Sequence, residues 1–256
     1  MGAVEPAYPP APSARLGQAE LLSPAFPMPD TPSPQPAPPK SFFLDPDLHG
    51  YILSHGGGPD EAQQALIAAT QALGSVARMQ IPPEQGVFME WLARVMGARR
   101  AIEVGAFTGY SALCLARGLG SGGRLLCLDL NEAWTRIART HWRRAGLADR
   151  ITLRLGPAAA SLATLPQEPM FDLGFIDADK ENGRLYYEEV LARLRPGGVL
   201  MLDNVLWGGK VVEPRQHPGD ASLQAICELN DFAATDARVQ ASFLPLGDGL
   251  LLLRKR

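Results

Sequence analysis

The chain has 256 residues and a formal net charge of −3 at pH 7, a balance that implies neither a basic nucleic-acid stripe nor a polyanion-like surface. No stretch reaches the roughly 18 uninterrupted apolar residues of a membrane span, and the first residues lack the basic start and apolar run of a secretory signal. Cys114, Cys127 and Cys227 are odd in number, far apart and set in apolar segments, so they read as small core residues of a reducing compartment, not as disulfide or zinc partners. The expectation is a soluble, cytoplasmic protein with no nucleic-acid or membrane partner.

Of the 23 prolines, 12 fall within the first 40 residues, where no helical or strand period is visible. Residues 1–40 therefore read as a disordered proline-rich arm, leaving 41–256 as one compact domain. Within that domain "DEAQQALIAATQALGSVA" (60–77) and "EQGVFMEWLARVMGA" (84–98) read as two helices, interrupted by the "IPP" of residues 81–83. From Arg100 onward short apolar runs alternate with segments of helical period. The strands are expected at 100–104, 124–130, 151–155, 171–176 and 198–202. Helices follow at "YSALCLARGL", "EAWTRIARTHWRRAG", "AAASLATL" and "GRLYYEEVLARLR". Near-continuous apolarity fits strands buried on both faces, hence a mostly parallel α/β sheet with helices on both sides. The last 20 residues hold two more strand-like runs around "GDG", which predicts an antiparallel hairpin at one edge joined by a tight turn.

The first strand runs into "EVGAFTGYS", with Glu103, Gly105, Thr108, Gly109 and Ser111. A glycine loop between strand and helix brings the backbone close to a ligand at the carboxyl end of a sheet. Dinucleotide sites use G-x-G-x-x-G to seat a pyrophosphate, whereas here G-x-x-x-G follows a carboxylate that would repel phosphate and suit a cation. Asp129 closes the second strand, where an acidic side chain can accept from ribose hydroxyls. An acidic loop with a ribose carboxylate describes a positively charged adenosine derivative, and S-adenosylmethionine fits. A plain structural turn at the glycines, with Asp129 and Asn131 capping the next helix, explains each feature singly.

Two further rims are acidic: "FIDADK" (175–180) and "LMLDNVLW" (200–207). If their strands are neighbours, Asp177, Asp203 and Asn204 converge as hard oxygen donors suited to Mg²⁺ or Ca²⁺, with positions left open for substrate and water. Lys180 is placed to take a proton from a hydroxyl beside that cation, an arrangement for metal-assisted O-methyl transfer. Read separately, Asp179 caps a helix and "LDNV" is an Asx-turned strand end.

"EVGAFTGYSALCLA", "GPA", "FIDADKEN", "LRPGGVLMLDNVLWGGKV" and "LPLGDGLLLL" together resemble, in order and spacing, the caffeoyl-CoA and catechol O-methyltransferase family of class I S-adenosylmethionine-dependent enzymes, over about residues 41–256. The resemblance implies a Rossmann-like, seven-stranded sheet. It implies Asp177, Asp203 and Asn204 as metal ligands, for Mg²⁺ first and Ca²⁺ or Mn²⁺ as alternatives. Lys180 matches the base, with Asp177 beside it. Met79, Glu103, Gly105, Ser111, Asp129, Ala158 and Asp177 match cofactor-binding positions, assisted by Asp179. Trp207 is the expected wall of an aromatic substrate slot, while Tyr186 and Tyr187 read as core. Asp248 is adequately explained by its turn. The chain has Gln80 and Ile81 next to Met79, where the family often has Thr or Ser. The implied activity is methylation of a catechol-type or caffeoyl-CoA-like phenol by a homodimer. Methylation of another nucleophile and non-catalytic cofactor binding are the alternatives, and an NAD-dependent oxidoreductase is disfavoured by the loop spacing and Glu103.

Overall fold

The computed structural model describes residues 44–256, so the arm expected over residues 1–40 lies outside the described residues. Local signals start the first helices. Asp45 accepts from Leu48 N at 2.8 Å ahead of α1 (Pro46–His55), and Asp60 and Gln63 form a reciprocal capping box for α2 (Glu61–Gln71). The proline pair ends one helical run and opens α3 (Pro83–Val95), where a missing N–H costs nothing at the first turn.

The remainder alternates strand and helix: β1 (Arg100–Val104), α4 (Tyr110–Gly118), β2 (Arg124–Asp129), α5 (Glu132–Arg144), β3 (Ile151–Leu155), α6 (Ala158–Ala163), β4 (Phe171–Ile176), α7 (Gly183–Arg193) and β5 (Leu194–Asp203). Then come α8 (Ala221–Thr235), β6 (Val239–Leu244) and β7 (Leu250–Lys255). The sheet has seven strands in the order β3-β2-β1-β4-β5-β7-β6, with β7 antiparallel to both of its neighbours and the other pairs parallel. The order in which successive strands are added to the sheet reverses between β1 and β4, and open α/β sheets bind ligands outside the strand ends at such a point.

Side-chain alternation divides the strands between two cores. Ala101, Leu125, Cys127, Leu173, Phe175 and Met201 pack with α2 to α5 on one face. Ile102, Val104, Leu128, Leu200, Leu202 and Leu251 pack with α6 to α8 on the other. Period-2 alternation with apolar residues on both sides is why these runs read as unbroken hydrophobic sequence.

Four features differ from expectation. The helix expected over 60–77 is split, because Gly74 turns left-handed (φ 74°) and a 3₁₀ turn covers Gly74–Met79. β5 begins at Leu194, so α7 passes into it without a loop. The connection between β6 and β7 spans residues 245–249, longer than a two-residue turn. The helices α1 and α8 have no counterpart among the elements expected from the sequence. Among the described residues no helix is long and apolar enough to cross a membrane.

Candidate active site

The C-terminal ends of β1, β2, β4 and β5 bring most of the expected residues to one rim. Gly105 follows β1 with φ 90°, and a Cβ there would lie 2.1 Å from the Asp177 carbonyl oxygen. Only glycine lets the β1 loop pass this close to the end of β4, which is how "EVGAFTG" and "DADK" meet. Thr70 of α2 donates to Thr108 at 2.8 Å, pinning the same loop from the helical side.

Glu103 is wholly buried. Its carboxylate accepts from the Ser111 hydroxyl on one oxygen and from the Cys127 thiol, at 3.1 Å, on the other. Cys127 is its register partner on β2, a hydrogen-bond donor as well as the small core residue expected from the sequence. Desolvation raises the Glu103 pKa from 4.5 to about 7, against the opposing pull of the two hydrogen bonds. Burial and the neighbouring carboxylate push the Cys127 thiol well above its usual value, so it remains a donor.

Asp129 braces the loop directly. One oxygen accepts from Ala106 N (2.9 Å) and Phe107 N (2.8 Å), and the other from Asn131 N (2.7 Å). A carboxylate offers about four acceptor positions, so three backbone donors leave about one for a ribose hydroxyl. Ala158 opens α6 after Gly156, whose N–H donates to the Asp129 carbonyl at 3.0 Å, and so belongs to this rim. Met79 ends the 3₁₀ turn and is 45 % exposed.

β4 and β5 are parallel neighbours, with Ile176 opposite Leu202, so Asp177 and Asp203 leave adjacent strands about 5 Å apart at the same level. Lys180 Nζ lies 3.0 Å from Asp177 Oδ1. Asn204 is held in the left-handed region (φ 59°), and both Asp203 and Asn204 are buried. Among the described residues no three Asp, Glu, His or Cys side chains form a metal cage. A cation here would rest on two carboxylates and the Asn204 amide, a hard-oxygen set that fits Mg²⁺ chemically. Asp179 turns into its own segment, accepting from Tyr186 Oη at 2.8 Å and from the Asn182 amide. Tyr187 is a core residue bound to Asp236 at 2.7 Å. Asp248 accepts from Gly208 N at 2.7 Å.

The unassigned helix α8 walls the outer side of this rim. Ser222 donates to Glu181 (2.7 Å), just after Lys180, and Asn230 Nδ2 donates to the Val205 carbonyl (2.8 Å), just after Asn204. Asp220 caps the helix through Leu223 N (3.0 Å) and accepts from the Trp207 indole N–H (2.9 Å). A cavity of ≈ 20 Å³ lies beneath, lined in part by Lys180, Asp203, Ile226 and Asn230.

A profile of the O-methyltransferase family matches residues 59–256. The chain belongs to that family. The match takes in every strand of the sheet and every expected site residue. Among its O-methyltransferase relatives, a catechol O-methyltransferase domain-containing protein 1 of Mus musculus is 41 % identical over 175 residues, covering 67 % of this chain and 66 % of that protein. Caffeoyl-CoA O-methyltransferase 2 of Zea mays is 34 % identical over 225 residues, covering 84 % and 85 %. The O-methyltransferase of Bacillus cereus, solved in complex with SAH, superposes with a TM-score of 0.74 at 34 % identity, covering 81 % of this chain and 96 % of that one. The fold is thus the Rossmann-like fold of class I O-methyltransferases.

Proposed function

We propose that this O-methyltransferase transfers the methyl group of S-adenosylmethionine to one hydroxyl of a small ortho-diphenol or caffeoyl-CoA-like acceptor, with a divalent cation, Mg²⁺ first, held by Asp177, Asp203 and Asn204. One observation carries the reading: the β4–β5 pairing places the Asp177–Lys180 pair beside Asp203 and Asn204. Complexes of relatives with SAH and, for TomG of Streptomyces achromogenes, with SAM support the choice of methyl donor.

When bound, S-adenosylmethionine supplies an electrophilic sulfonium methyl and the cation supplies Lewis acidity that makes an adjacent hydroxyl more acidic. The chain's own groups do the rest. Gly105 and the Asp129-braced loop form the donor site, while Glu103 sits beneath with its charge partly suppressed at neutral pH. Lys180, whose Nζ lies 3.0 Å from Asp177 Oδ1, would receive the hydroxyl proton in its neutral amine form, becoming the ammonium that pairs with Asp177. Trp207 forms an aromatic wall for the acceptor ring. Two adjacent hydroxyls can chelate where one cannot, which fixes the reacting oxygen.

The test is methyl transfer across a panel of phenols with and without Mg²⁺, with product masses recorded. Cation-dependent turnover of ortho-diphenols, slow or absent for matched monophenols, is expected. Full activity in chelator, or equal rates for a monophenol and its ortho-diphenol, would overturn the cation-chelate reading. The homodimer implied by the resemblance belongs to the same proposal and is checked by light scattering.

A further inference from the structure

Trp207 stands in a strained stretch. Its φ is 46°, and Gly208 and Gly209 follow at 62° and 83°, three successive left-handed residues of which only two are glycine. A bulky side chain keeps such a conformation only where its surroundings over-determine it. Asp248 holds the Gly208 N–H at 2.7 Å, and the Leu206 carbonyl holds the Gly209 N–H at 2.8 Å. These fix the backbone but leave the ring free to rotate. The ring is fixed by Asp220, whose Oδ2 accepts from Trp207 Nε1 at 2.9 Å and from Lys210 Nζ at 3.1 Å. Its Oδ1 meanwhile caps α8. The indole, Lys210 and Leu223 contacts hold the Asp220 carboxyl at about 2, below the usual carboxylate range.

Resting on the proposed acceptor slot, we propose that Asp220 is a positioning residue that sets the plane of Trp207 and thereby determines how well the slot holds an aromatic acceptor. Both of its oxygens have separate tasks, so one side chain couples the start of α8 to the slot wall. The same first turn of α8 reaches the segment after Lys180 through Ser222 and Glu181. Wall and base are therefore referenced to a single helix end. The Lys210 contact is a half-exposed surface pair and adds little. The indole contact is what orients the ring.

The test separates capping from ring-holding. Asp220→Ser can still cap a helix but is too short to reach the indole, and Asp220→Asn keeps one acceptor oxygen for the cap while its NH₂ cannot accept from the indole N–H. Trp207→Phe keeps a ring and removes the N–H. Expected for Asp220→Ser is a KM for the ortho-diphenol about tenfold higher, kcat within about threefold of wild type, and a melting temperature close to wild type. Asp220→Asn, whose single oxygen goes to the cap, should raise KM as Asp220→Ser does and likewise leave the melting temperature close to wild type. The Asp220→Ser/Trp207→Phe double variant should be no worse than the poorer single variant, since both remove one contact. Without any acceptor, acrylamide quenching of the Trp207 emission, isolated by subtracting the Trp207→Phe spectrum, should rise in Asp220→Ser. An unchanged KM, additive KM effects, or unchanged quenching would each overturn the assignment. A wild-type protein that methylates no phenol, with the quenching rise still present in Asp220→Ser, would instead overturn the proposed function and leave Asp220 as the residue that holds Trp207.

Discussion

Glu103 shows how one buried side chain links stability to pH. Its carboxyl titrates at 4.5 when unfolded and at about 7 when folded, because burial disfavours the charge. Between those values the folded chain keeps a proton that the unfolded chain has lost, so stability falls as pH rises through the window. At about 1.4 kcal/mol per pH unit the total is on the order of 3 kcal/mol. Glu103→Gln should abolish this component. Its melting temperature should gain on wild type as pH goes from 4.5 to 7.5, and parallel curves for the two proteins would show that Glu103 does not titrate there. Lys180 makes a different prediction, because its Nζ is bound to Asp177 and, in the proposed reading, serves the acceptor and not the donor. Lys180→Met should lower kcat by about 10² to 10⁴ with little change in S-adenosylmethionine affinity by calorimetry. An equal loss in both would place Lys180 in the donor site instead.

Among the secondary-structure elements, the site depends on two close approaches. The first is β1 against β4. A methyl group at residue 105 would collide with the Asp177 carbonyl on a backbone already at φ 90°, so Gly105→Ala must either push the two strand ends apart or distort the loop. A loss of about 3 kcal/mol or more in denaturant unfolding is expected, together with loss of donor binding. Near-wild-type stability would mean the loop yields easily. The second approach is α8 against the end of β5. Asn230→Ala removes the donor to the buried Val205 carbonyl and should cost about 1 to 2 kcal/mol. Because Val205 directly follows Asn204, Mg²⁺ affinity measured by calorimetry should weaken as well. A stability loss with unchanged Mg²⁺ affinity would confine Asn230 to holding the fold.

For the molecule as a whole, the proposed donor site lies where the strand order switches between β1 and β4, between elements that would separate on unfolding. A ligand bound there adds to global stability. S-adenosylmethionine at a hundred times its Kd should contribute about 2.7 kcal/mol, a rise of about 5 to 10 °C in Tm for a domain of this size. NAD at the same concentration should give none, because the loop after β1 lacks the G-x-G-x-x-G seat that a pyrophosphate needs. A larger shift with NAD would overturn the donor assignment.

The five parallel strands, the helices between them and the rim positions of Gly105, Asp129, Asp177, Asp203 and Asn204 were legible in the sequence, because apolar runs of strand length and their terminal polar residues are local patterns. The partners of those residues were not legible. That Glu103 would spend both oxygens on Ser111 and Cys127 follows from the β1–β2 register and from α4 folding back over it. That Asp129 would hold the loop depends on the left-handed turn at Gly105, which points two N–H groups toward β2. The helix α8 has an apolar stripe, yet its start at Asp220 follows a 3₁₀-rich stretch with weak periodicity, and what makes it important is contact with Val205, Trp207 and Glu181, which lie 13 to 41 residues away. Propensity and periodicity act over a few residues and so determine which elements form. Which polar atoms meet is decided by strand order and register, which only the packed chain defines.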